Sequence, residues 1–180
     1  LRSALAIDGN YAPALHELAL VSMLQGRPEQ ALPLITSALT LREVAETRAL
    51  FVECILTVGE FRPEAPLRNL IRRALDEAWT RPNEMAPLCA SILMAHPIIG
   101  AAIKRVAAPW AQANTGPELP APTEMEIEAA AQEPFLQTYL EATPNCDIDI
   151  ERFLTSLRAK MLDRARSGEA VGENQTGLCA

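Results

Sequence analysis

The sequence predicts an all-α fold, a helix-turn-helix solenoid array continued by less regular helical hairpins. Three observations lead there. Ala and Leu dominate a chain that is 49% hydrophobic but only 4% aromatic, and small, unbranched residues favour helices packed closely on helices. Leu15, Leu18, Ala19 and Ser22 share one helical face, and Ala31, Ile35 and Ala38 mark the next after a break at Gly26. The chain also repeats itself: "ALAID" from Ala4 aligns with "ALTLR" from Ala38, a shift of 34 residues, a period that belongs to helix-turn-helix arrays.

At 180 residues there is room for one ordinary domain or two small ones. Leu1, Ala4, Leu5 and Ala6 read as the last turns of a longer helix, so the chain is expected to be part of a larger protein. Residues 1–44 form the first unit, and 45–114 continue as helical hairpins with Gly59 near a turn. A further helix is expected to open near Pro82 and to end at His96–Pro97, with Pro109 kinking or ending the next. Residues 115–124, "TGPELPAPTE", hold three prolines and a glycine and read as a linker or long loop. A helical segment over 125–167 follows, with a short helix around Phe135, Leu136, Tyr139 and Leu140, and then a polar tail over 168–180.

The stretch from Leu15 to Ala38 resembles the tetratricopeptide repeat. Ala19 and Ala31 would let paired helices approach, Gly26 would supply the turn, and Ala38 would pack on the following helix. Where that family usually closes its repeat with Pro, this chain has Glu43, and Gly9 one repeat earlier. The next hairpin, over 47–79, keeps the pattern but loses the small residues of its second helix. The resemblance implies an inner groove lined by the first helix, here Pro13, His16, Leu20, Met23 and Leu24. The Lys and Asn with which some members clamp a peptide carboxylate do not stand at these positions, so the groove suits a hydrophobic peptide or a neighbouring part of the same polypeptide.

Composition narrows the function further. A net charge of -7 with no Lys/Arg cluster excludes a basic-patch nucleic-acid binder. No run of about 18 apolar residues points to a membrane span, and nothing resembles a secretory signal, so a cytoplasmic setting is expected. Cys54, Cys89, Cys146 and Cys179 are widely separated, without CxxC or a histidine at ligand spacing, and read as reduced thiols. Without a secretory signal, the Asn174–Thr176 glycosylation sequon is read as accidental. No glycine-rich phosphate loop occurs, so no cofactor cradle is expected.

The densest chemistry is "TPNCDIDIERFLTSLRAKML" over 143–162, where Asp147, Asp149 and Glu151 alternate like the first ligands of a calcium loop. Such a loop needs Gly at its sixth position and Glu at its twelfth; counted from Asp147, those are Arg152 and Arg158. The carboxylates are instead expected to cap a helix and meet its positive end. His16 and His96 lie eighty residues apart with no nucleophile motif beside either. A small helical enzyme built from the two histidines and the acidic residues is the weaker alternative. No catalytic, cofactor or metal residue is assigned.

Leu136, Leu140, Thr143, Pro144, Asp147, Glu151, Leu154, Thr155, Leu157, Arg158 and Leu162 form a second resemblance. It is to the segment that, in bacterial proteins, joins tetratricopeptide repeats to a class I S-adenosylmethionine-dependent methyltransferase. That resemblance implies a catalytic domain beyond Ala180, with this chain as its non-catalytic interaction or regulatory region; a freestanding adaptor for a hydrophobic peptide is the alternative. The stripe Phe153, Leu154, Leu157 and Met161 then reads as a docking helix.

Overall fold

In the computed structural model, residues 1–59, 63–111, 119–142 and 147–168 are described, and every regular element among them is helical. The chain divides into two units, Leu1–Arg81 and Pro82–Ala180. This boundary falls inside the 45–114 region that the sequence treats as continuous. The expected linker at 115–124 is described only from 119 onward, and of the 168–180 tail only residue 168 lies within the described residues.

The first unit holds α1 (Arg2–Ile7), α2 (Ala12–Leu24), α3 (Pro28–Leu41), α4 (Ala45–Val58) and α5 (Ala65–Asp76). α3 packs against both α2 and α4. Ala19, Ala31 and Ala38 are buried, as are Ile35, Phe51 and Ile55, so the small residues sit where side-chain bulk would push the helices apart. Pro28 and Pro66 stand in the first turns of α3 and α5, where a missing N–H is not needed.

The turn at Gly26 shows why glycine stands there. Its φ is +68°; its N–H donates to Met23 O at 2.9 Å and the Arg27 N–H donates to Ser22 O at 2.9 Å. These paired bonds are a Schellman closure, which needs a left-handed residue. α5 ends the same way: the Ala78 N–H donates to Leu75 O at 3.1 Å and the Trp79 N–H to Ala74 O at 2.9 Å. Here the left-handed position is Ala78, at φ +49°, a conformation that costs an L side chain about 1 kcal/mol.

The second unit holds α6 (Pro82–Met94), α7 (Ile99–Ala107) running into a 3-10 turn (Ala108–Ala111), α8 (Glu124–Ala131), α9 (Pro134–Ala142) and α10 (Ile148–Arg166). α7 is its hub and packs against α6, α8 and α10; Ile99, Ala102, Ile103 and Val106 are fully buried. The approach of α7 to the end of α6 depends on Gly100, where a Cβ would lie 2.1 Å from the Met94 carbonyl oxygen. No single helix among the described residues is long and apolar enough to cross a membrane.

Where the sequence suggested one short helix around Phe135, the structure has two. α8 opens on a capping box: the Glu126 N–H donates to Thr123 Oγ1 at 3.3 Å and the Thr123 N–H donates to Glu126 Oε2 at 2.7 Å. α9 opens at Pro134, with Glu133 Oε1 accepting the Phe135 N–H at 3.1 Å. Each start has its own cap, so a short break at 132–133 is stable where periodicity alone would run the helix on.

Two measurements test this unit. Gly100→Ala should lose about 3 kcal/mol of unfolding free energy in a denaturant titration, because a rigid carbonyl occupies the space of the new methyl. Glu126 supplies the second. Burial alone would raise its carboxyl pKa, but the Thr123 backbone N–H, the Arg105 guanidinium and the Thr123 hydroxyl together hold it below 4.5. A carboxylate depressed in the folded state contributes stability above its unfolded value and loses it as pH falls through the folded value. Glu126→Gln should therefore be less stable at pH 7, and its stability should fall less steeply than the wild type's as pH drops below about 4.5.

Candidate functional site

The concave feature that takes in predicted groove residues lies between the starts of α2 and α4. The Asn10 N–H donates to Asp8 Oδ1 at 2.9 Å and turns the chain into α2, which presents Ala12 and Pro13 in its first turn and His16 one turn on. From the other side, Arg42 and Val44 are extended, with φ of -153° and -133°, and carry the chain from α3 into α4. Thr47 stands in the first turn of α4 and is buried.

Together these residues line a cleft of about 260 Å³, with Ala12, Pro13 and Val44 as its apolar wall and His16 and Thr47 at its polar end. Glu17, Glu46 and Arg42 add charges of both signs. Thr47 Oγ1 lies 3.4 Å from His16 Nδ1. That is longer than the roughly 2.6–3.2 Å of a nucleophile hydrogen-bonded to its base, and it orients the ring in the cleft.

Of the five groove residues expected on α2, Pro13 and His16 line this cleft. Leu20 and Met23 continue half-buried along the helix, and Leu24 is 79% exposed. Sequence reasoning named α2 and missed the opposite wall. The 34-residue shift in the sequence carries a signal: moving Ala12 and Pro13 along by 34 positions lands on Glu46 and Thr47, both of which line the cleft.

The proposed docking stripe has a different fate. Phe153, Leu154, Leu157 and Met161 are buried inside the second unit, where α10 packs against α7. They are core residues, and this stripe is not available to another domain. α10 is also tied down by Ser156 Oγ, which donates to Pro120 O at 2.6 Å. At its start, Asp147 Oδ1 accepts the N–H groups of Asp149 and Ile150 at 2.9 and 3.4 Å. Asp149 pairs with Arg152 at 2.8 Å, so these two carboxylates serve the helix start.

The two histidines fall in different units. The Ile99 N–H donates to His96 Nδ1 at 3.2 Å, while His96 Nε2 lies 3.6 Å from Glu133 Oε2. A lone pair is thus needed on Nδ1, which leaves the proton of the neutral ring on the nitrogen facing Glu133. His96 and Glu133 therefore cap α7 and α9 while touching each other, beside a hollow of about 360 Å³ that Met125 and Glu128 also line. Among the described residues no group of three or more His, Cys, Asp or Glu side chains converges as a metal site. Cys146 lies outside the described residues, as does Cys179.

With this geometry established, comparison with known proteins adds no assignment: no family model, curated protein or solved structure matches the chain.

The buried thiols give a direct test of the packing. Burial pushes Cys54 up to about 11, with Glu29 and Glu53 adding to the effect, and Cys89 up to about 12. At pH 8 roughly one Cys54 in a thousand would be thiolate. Iodoacetamide labelling followed by peptide mapping should leave both cysteines unmodified in the native chain and label them fully in denaturant.

Proposed function

We propose that this chain is a non-catalytic, tetratricopeptide-like protein-interaction region that works in the cytoplasm, with the cleft between α2 and α4 as its peptide site. The single observation that carries the reading is that the starts of two successive first helices, α2 and α4, close on one cleft with an apolar wall and a polar end. Pockets of that make-up hold a side chain by burial and orient it with a few polar groups. The 34-residue self-similarity and the buried Ala19, Ala31 and Ala38 support the repeat reading. The occupant is a peptide that places an apolar side chain against Pro13 and Val44.

Attachment to an S-adenosylmethionine-dependent methyltransferase is part of the same proposal and rests on the resemblance over Leu136–Leu162 alone. A full reading frame with no glycine-rich cofactor motif downstream of Ala180 would remove it.

The cleft is tested by selecting displayed peptides against the full chain and measuring the winners by fluorescence anisotropy. Val44→Glu and His16→Ala should each weaken binding at least about tenfold, by placing a charge in the apolar wall or removing the polar end. Leu24→Glu, farther along α2, should leave it unchanged. Peptides that bind the Val44→Glu chain as tightly as the wild type would rule out this cleft.

A further inference from the structure

α5 is attached differently from its neighbours. Its backbone does not lie along another helix as α3 lies along α2 and α4. It contributes Ile71, Ala74 and Leu75 to the core, and its last turn is held by a ring of alternating charges. Glu43, in the α3–α4 connection, pairs with both Arg48 of α4 and Arg73 of α5. Glu77, at the end of α5, closes the ring with contacts of 2.8 Å to Arg73 and 3.1 Å to Arg48.

Trp79 fills this ring. Its indole lies 4.9 Å from the Arg48 guanidinium and 5.3 Å from that of Arg73, and its Nε1 donates to Glu77 Oε2 at 2.9 Å. The indole meets Phe51 of α4 edge-on, with centroids 5.9 Å apart. Phe51 is wholly buried, so Trp79 is part of the cover over the core. The four charged side chains are 24–41% exposed, which leaves their attraction open to screening by salt. The turn that presents Trp79 holds Ala78 in the left-handed region, so the C-terminal cap of α5 carries local backbone strain.

We propose that α5 and the turn through Trp79 form a strap, latched by the Glu43–Arg48–Glu77–Arg73 ring around Trp79 and released as a unit when those charges are screened or neutralised. Release uncovers Phe51 on α4 while the α2–α3 hairpin stays folded. A partner carrying its own charges could open the strap in the same way as salt. The inference is independent of the cleft between α2 and α4, and either can fail alone.

Hydrogen exchange read by mass spectrometry on the full chain tests the strap. In 1 M NaCl, and in the Glu43→Gln/Glu77→Gln double variant at low salt, α5 amides should exchange about tenfold faster, with α2 and α3 rates unchanged. Ala78→Gly, which relieves the left-handed strain, should slow α5 exchange. Equal acceleration of α2, α3 and α5 overturns the proposal by showing one cooperative unit. So does an α5 rate that stays constant in 1 M NaCl, an outcome that wild type alone can deliver if the double variant does not fold.

Discussion

How closely helix backbones approach one another governs this structure, and small residues at the contacts decide it. In the first unit Ala19, Ala31 and Ala38 leave almost no surface exposed. In the second, Gly100 lets α7 pass within a methyl's width of the Met94 carbonyl. Larger side chains at these points would move whole helices, because packed interiors have no slack to absorb them. The α2–α4 cleft follows from the first set, since its two walls meet only as far as the helices behind them allow. The close seating of α7 on the end of α6 follows from the second.

Polar groups then decide where helices start. Thr123 with Glu126, Glu133, Asp147 and the ring of His96 each satisfy backbone N–H groups that a helix start leaves without partners. Two of them also reach beyond their own helix, since Glu126 pairs with Arg105 of α7 at 2.6 Å and Glu133 faces His96 in the turn between α6 and α7. A chain rich in carboxylates thus uses them at helix starts, where the dipole favours negative charge. That accounts for the acidic stretch at Asp147–Asp149 without calling on a metal.

The two ways of holding a helix are unequal in strength. α2, α3 and α4 are held by buried apolar contact, which salt leaves largely untouched, whereas the last turn of α5 adds half-exposed charges around an indole to the buried contacts of Ala74 and Leu75. Each exposed pair contributes little alone. Closed into a ring around an indole that meets Phe51 edge-on, they act together on the end of one helix; the proposed strap rests on that difference in how α5 is held.

Much of this was legible in the residues. The all-α class, the turn at Gly26, the burial of Ala19, Ala31 and Ala38, and a helix cap among the carboxylates at 147–151 come from local rules of periodicity, left-handed turns and helix starts, which depend on near neighbours in the chain; the structure places that cap on Asp147. The residue order likewise marks Pro13 and His16 as neighbours on one helix face. What only the tertiary structure decided is which surfaces meet. It gave the cleft its far wall of Val44, Glu46 and Thr47, buried the Phe153–Met161 stripe inside the second unit, and brought Glu43 and Arg73 together across thirty positions of chain. An apolar stripe states that a face must be buried but not against what, because burial is non-directional and its partner is chosen by the packing of the whole unit.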